Sequence, residues 1–252
     1  MPKLLMIKPS QILDGAPLKF EKSLSPTRAL PYLAGLTPPD FDITLIDDSV
    51  EDVDFDADVD LVALTSILPQ VPRAMEIADR FRARGIPVIM GGTGACSVPD
   101  YVTPHVDVLV RGEAEYLWSG ILNDFRQGTL KPVYEADKPF TMENMVPARF
   151  DLMNQDCYMR ASRAASKQTT IRIPIETSRG CPHNCDFCFV TRYFGRKMRF
   201  RPIDEVVEEL RQFPESYVFF VDDNICINPE RAKELFRALI PLKIRWISSS
   251  HI

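Results

Sequence analysis

Residues 171–188 read Ile171-Arg-Ile-Pro-Ile-Glu-Thr-Ser-Arg-Gly-Cys181-Pro-His-Asn-Cys185-Asp-Phe-Cys188. The apolar run predicts a strand over 171–177, so the three cysteines sit on the loop that leaves its carboxyl end, at C-x3-C-x2-C spacing. Thiolates bind cluster iron, and a four-iron cluster normally takes four of them. Three from one tight loop leave one iron open to the amino and carboxylate groups of an amino-acid-like molecule. Structural zinc is the plainer alternative, but it draws four ligands, usually as two separated pairs. His183, inside the loop, would be strained as a fourth, and a solvent-facing or supporting place suits it better. A ferredoxin-like carrier would show a C-x2-C-x2-C run. The spacing favours the open-iron cluster.

Downstream, the pattern predicts a helix over 202–213, a strand over 217–221, a helix over 229–240 and a strand over 244–248. Pro202 and Pro229 suit a first helical position, Asn228 can cap, and Ile203, Val206, Val207 and Leu210 recur at helical spacing. Asp222-Asp223-Asn224 closes the second of these strands, either as a polar turn or as a ligand contact. Cys226, nearby, reads as a small buried thiol.

Upstream, apolar runs at 4–8, 42–47, 61–65, 87–90 and 107–110 predict five buried strands. Helices fit over 28–36, 71–84 and 113–125, the second with Ala74, Ile77, Ala78 and Phe81 along one face. Alternating strands and helices imply a flavodoxin-like doubly wound unit, whose ligands bind beyond the carboxyl ends of the strands. Those ends carry Thr65-Ser66, Gly91-Gly92-Thr93-Gly94 and Arg111-Gly112-Glu113. From 127 to about 167 the pattern loosens into a connector expected to pack across both halves.

The 252 residues are 45% hydrophobic and 26% charged, the balance of a globular chain. A net charge of −5 gives no basic field for nucleic acid, although 189–203 holds five basic residues and no acid. The start, MPKLLMIKPS, lacks secretory features, and no apolar run approaches the ~20 residues of a membrane span. A cytoplasmic location is expected. Three of the six cysteines lie within eight residues, which in a reducing compartment favours metal over disulfides.

The stretch from Glu176 to Cys188, with Tyr193-Phe-Gly-Arg-Lys197 and Phe219-Phe-Val-Asp-Asp-Asn224, closely resembles the radical S-adenosylmethionine enzymes. The resemblance implies that Cys181, Cys185 and Cys188 hold a [4Fe-4S] cluster whose open iron chelates S-adenosylmethionine. One-electron reduction then yields methionine and a 5′-deoxyadenosyl radical. Phe187 should lie against the adenine, with Asp222 and Asp223 at the methionine amino group. One large subgroup places a cobalamin-binding domain ahead of the barrel, and residues 1–127 resemble it. There Thr65, Ser66, Gly91, Gly92, Gly112 and Glu113 would contact the corrin and its nucleotide tail. The Asp-x-His-x-x-Gly run of the best-known cobalamin domains is absent, and no histidine precedes His105, as is common in the radical subgroup.

The expected fold class is α/β: a flavodoxin-like (Rossmann-like) cobalamin-binding domain over 1–127, a connector over 128–167, and the first half of a partial (β/α)6 TIM-like radical barrel over 168–252. Ending just after its third strand, the chain looks truncated. The resemblance implies an enzyme that methylates an unactivated carbon of a small molecule with cobalamin. A cyclase or rearrangement enzyme of the anaerobic chlorophyll-cyclase type is the alternative, as is a non-catalytic cobalamin-binding or zinc-stabilised module. The basic segment Arg192, Arg196, Lys197, Arg199 and Arg201 would attract an acidic substrate or an electron donor such as flavodoxin or ferredoxin.

Overall fold

Runs of Leu, Ile, Val and Met whose alternate side chains enter two different cores build a six-stranded parallel sheet. The computed structural model describes residues 1–19, 26–166, 172–213 and 217–250, with no side chain described for 161–166. The strands are β1 (Lys3–Lys8), β2 (Asp42–Asp47), β3 (Leu61–Thr65), β4 (Val88–Gly91), β5 (Val108–Arg111) and β6 (Val133–Glu135). Their order is β2-β1-β3-β4-β5-β6, all parallel. The first five reproduce the flavodoxin-like order, which reverses at the β1/β3 boundary. One face buries Leu4, Met6, Leu61, Ala63, Ile89 and Val110 against Trp118, Ile121 and Leu122 of the helix Trp118–Gln127. The other buries Leu5, Ile7, Val62, Leu64, Val88 and Met90 against Ala74, Ile77, Ala78 and Phe81 of the helix Val71–Arg82. A period of two within each strand produces these two separate cores.

A second parallel sheet follows: β7 (Arg172–Ile175), β8 (Tyr217–Phe220) and β9 (Arg245–Ser248), in the order β9-β8-β7. Its helices Ile203–Arg211 and Pro229–Leu239 bring Val206, Leu210, Leu235 and Leu239 onto Ile175, Val218 and Phe220. Pro229 opens its helix and the Asn228 side chain accepts the Arg231 N–H at 3.2 Å, as expected of a cap. The expected starts and ends at Ile171 and Ile252 lie outside the described residues.

Three differences from the sequence reading have local causes. The helix expected from Glu113 begins at Trp118, because Gly112 takes a φ of +83° and Glu113 and Glu115 are drawn out to Arg179. The loosened stretch after 127 contains β6 and a helix, Gln155–Ser166. Three residues are too few to show a period, and Tyr158 settles the helix by donating its hydroxyl to buried Asp47. The same stretch does pack across both halves. Phe140, Met142 and Met145 cover Tyr32, the Glu205 carboxylate accepts the Asn144 and Met145 N–H groups, and Phe150 meets Phe213 edge-on at 5.8 Å. Lastly, Cys226 is exposed, because neighbouring Ile225 takes the buried place in that turn.

Candidate functional site

The strand β7 runs into a two-residue antiparallel ribbon, Ser178–Arg179 against Arg199–Phe200. Between its feet lies the cysteine loop. Gly180 turns it with a φ of +91°, and a Cβ there would stand 2.8 Å from the Lys197 carbonyl oxygen, so only glycine fits. The Cys181 N–H reaches the Gly195 carbonyl at 3.4 Å, and the Cys188 N–H donates to the Cys185 carbonyl at 3.0 Å. All three thiols are free and half-buried. Among the described residues, no three His, Cys, Asp or Glu side chains are grouped around a single-ion position. A cuboidal cluster asks for something else, one thiolate on each of three separate irons, and three free thiols on one loop match that donor set.

The candidates around the loop part company. Phe187 is 93% exposed, on the loop's outer side. Asp222 is buried and anchors the ribbon: its carboxylate accepts the Thr177 N–H at 3.1 Å, the Thr177 hydroxyl at 2.7 Å and the Ser178 hydroxyl. Burial outweighs these donors and pushes the Asp222 carboxyl up to about 6. Asp223 instead lines a cavity, and burial, with repulsion from Glu176 and Asp222, pushes it up to about 6 as well.

That cavity, about 530 Å³, lies between the carboxyl ends of the two sheets. Thr65, Ser66, Gly91, Gly92, Gly112 and Glu113 all line it, facing Glu176, Arg179, Tyr193 and Asp223. The glycine run has a structural reason of its own. A Cβ on Gly92, at a φ of +92°, would stand 2.7 Å from the Ser66 carbonyl oxygen. One on Gly94 would stand 2.5 Å from the Ile67 carbonyl carbon, so the glycines let the turn after β4 rest on the turn after β3. The Ser66 hydroxyl is buried without a partner, a wall atom suited to a ligand's polar group. Apolar walls from Leu30, Ala63, Ile89 and Trp118 and a switch-point position fit an extended cofactor with a polar tail. No histidine is among the lining residues, and His105 instead meets Asp79 through Nδ1 at 2.8 Å.

The sequence reading missed the charge network on the cavity rim. Arg179 donates from Nε and Nη2 to Glu176 at 2.8 and 2.9 Å, and from Nη1 to Glu113 at 2.7 Å and to Glu115. Burial raises the Glu115 carboxyl despite that contact, whereas for Glu176 the pull of Arg179 outweighs burial and lowers it. Glu113-x-Glu115 after a strand and an arginine before the cysteines were visible, but their pairing spans 66 residues for Glu113. The basic segment also divides. Arg199 and Arg201 turn inward, onto Glu113 and Glu209, while Arg192, Arg196 and Lys197 stay exposed.

Residues 175–250 match the model of the Radical SAM superfamily. This part of the chain belongs to the radical S-adenosylmethionine family, and a flavodoxin-like unit stands ahead of its barrel strands. The chain is 32% identical over 227 residues to the bacteriochlorophyllide d C-8(2)-methyltransferase of Chlorobaculum tepidum, covering 85% of this chain and 49% of the relative. Its fold matches the radical S-adenosylmethionine methyltransferase TsrM of Kitasatospora setae, solved with cobalamin and a [4Fe-4S] cluster. The TM-score is 0.69 at 17% identity, over 96% of this chain and 53% of that one. It also matches the cobalamin-dependent S-adenosylmethionine radical enzyme OxsB, with a TM-score of 0.74 at 14% identity, over 98% of this chain and 38% of that one. The chain spans about half the length of the curated relatives it matches.

Proposed function

We propose that this chain forms the cofactor-binding part of a radical S-adenosylmethionine enzyme that methylates an unactivated carbon of a small molecule with the help of cobalamin. When bound, the [4Fe-4S] cluster and S-adenosylmethionine supply a 5′-deoxyadenosyl radical and cobalamin supplies a methyl group. Cys181, Cys185 and Cys188 would hold the cluster. Asp223, on the cavity wall, is better placed than buried Asp222 to receive the methionine amino group, while Phe187 would have to fold over the adenine from its exposed position. Thr65, Ser66, Gly91, Gly92 and Gly112 would line the corrin side, with the Ser66 hydroxyl offered to the nucleotide tail. The division at 1–127, 128–167 and 168–252 would assign cobalamin to the first part and the cluster to the last.

The observation that carries this reading is that three free thiols share one loop whose neighbours Arg179, Tyr193 and Phe194 line a cavity walled by the carboxyl ends of both sheets. The methyltransferase relative supports methylation, and nothing observed favours the ring-closing alternative. Exposed Arg192, Arg196 and Lys197 next to the loop suit an acidic electron donor such as flavodoxin or ferredoxin. No helix among the described residues is long and apolar enough to cross a membrane. A cytoplasmic setting would keep the thiols reduced.

Anaerobic reconstitution with iron, sulfide and hydroxocobalamin, followed by metal analysis and absorbance, is the test. Iron and corrin should both be retained, and Cys181→Ala, Cys185→Ala and Cys188→Ala should each lose the iron but keep the corrin. A wild-type chain that takes up no iron defeats the proposal.

A further inference from the structure

The feet of the cysteine loop carry an electrostatic conflict. In the ribbon, Arg179 and Arg199 stand directly opposite one another. Like charges so placed repel, and a ribbon of two residues per strand has little stability of its own. Glu176 neutralises the Nε edge of Arg179 and Glu115 accepts from its Nη1, but neither reaches Arg199, the second positive charge of the pair.

The missing negative charge comes from the other sheet. Glu113, in the turn after β5, has a side chain only 5% exposed. Its Oε1 accepts from Arg179 Nη1 at 2.7 Å and from Arg199 Nη1 at 2.8 Å. Its Oε2 accepts from Arg199 Nη1 at 2.8 Å and from the Phe140 N–H at 3.0 Å. Arg199 is held further by the Phe140 and Phe194 carbonyls. Within the loop, the Tyr193 hydroxyl donates to the Gly112 carbonyl at 2.9 Å, next door to Glu113. A carboxylate already serving three donors is committed to this bridge.

We propose that Glu113 is a positioning residue: by holding Arg179 and Arg199 together it locks the base of the cysteine loop to the turn 112–115, and so sets where Cys181, Cys185 and Cys188 stand relative to the cavity. The lock is a property of the protein alone and stands whether or not the loop takes up iron. Arginine is required on the ribbon side, because one guanidinium serves Glu176 through two nitrogens while a third reaches Glu113, which an ammonium cannot do.

Amide hydrogen exchange of the iron-free chain, followed by peptide mass spectrometry, reads the lock. The loop peptide 180–198 is compared with the helix Val71–Arg82 as an internal control. Glu113→Gln keeps the shape but removes the charge, and should speed exchange in the loop on the order of tenfold while leaving the control helix unchanged. Glu113→Asp keeps the charge but withdraws it by one methylene, so its loop rate should fall between the two. If Glu113→Gln loosens the control helix as well, Glu113→Asp decides the matter. A rise confined to the loop supports the lock, and any other pattern overturns it, as do unchanged loop rates in both variants.

Discussion

Replacing Gly94 with alanine tests how the cavity wall is built. The added Cβ would stand 2.5 and 2.6 Å from the Ile67 carbonyl carbon and oxygen and 2.9 Å from the Leu68 nitrogen. Ordinary contact needs ~3.5 Å, and all three neighbours are backbone, so no side-chain rotation can make room and the turn must retreat by about 1 Å. Overpacking of this kind costs ~1–3 kcal/mol. The 2.7 Å hydrogen bond from the Gly94 N–H to the Ser66 carbonyl weakens too, a further ~0.5–1.5 kcal/mol. Alanine's better helix propensity returns up to ~1 kcal/mol, leaving a net loss of about 0.5–4.5 kcal/mol. Gly120 is the control. It lies inside the helix Trp118–Gln127 with nothing within 4 Å of its would-be Cβ, so Gly120→Ala should gain up to ~1 kcal/mol. Urea unfolding followed by the fluorescence of buried Trp118 separates the two variants. A Gly94→Ala protein that unfolds at or above the wild-type midpoint would refute the turn-on-turn reading.

Three other outcomes follow from buried polar groups. Glu209, 5% exposed, bridges Arg28 and Arg201, which are 6% and 4% exposed; Glu209→Gln takes the carboxylate from Arg28 and leaves Arg201 only Glu205 at 3.6 Å, and should cost about 3 kcal/mol, roughly 10 °C in thermal unfolding. A shift below 2 °C would show that the bridge is idle. Asp223 has a folded-state pKa of about 6 against 3.8, so the native state binds the extra proton between those values, and stability declines as pH rises from about 4 to about 6. Asp223→Asn should therefore gain on the wild type across that window, by no more than about 2 kcal/mol once partial exposure is allowed for, and a difference constant with pH contradicts it. Tyr193→Phe removes the hydroxyl held by Gly112 and should cost ~0.5–1.5 kcal/mol in urea unfolding, with no loss of iron after reconstitution.

Local chemistry was legible from residue order alone. Strands such as 61–65 and helices such as 71–84 announce themselves by period, because side-chain direction depends only on neighbours a few residues away. The cysteine triplet is equally local, so its spacing limited the metal chemistry before any coordinates were known. The observed sheet order then agreed with the doubly wound expectation, and the six turn candidates converged on one cavity.

What residue order left open depended on partners distant in the chain. The strand Val133–Glu135 exists because β5 offers it an edge, and Gln155–Ser166 sends Tyr158 to Asp47, 111 residues away. Asp222 and Asp223 are adjacent and chemically identical, yet one is spent on the ribbon and the other lines the cavity, a choice made by the turn that leaves β8. Glu113 shows the limit most clearly. Its type and its place after a strand suggested a ligand contact, but the two arginines that claim it arrive from 66 and 86 residues downstream. Hydrogen bonds and ion pairs are satisfied by whatever stands within about 3 Å, and only the folded chain decides which groups those are.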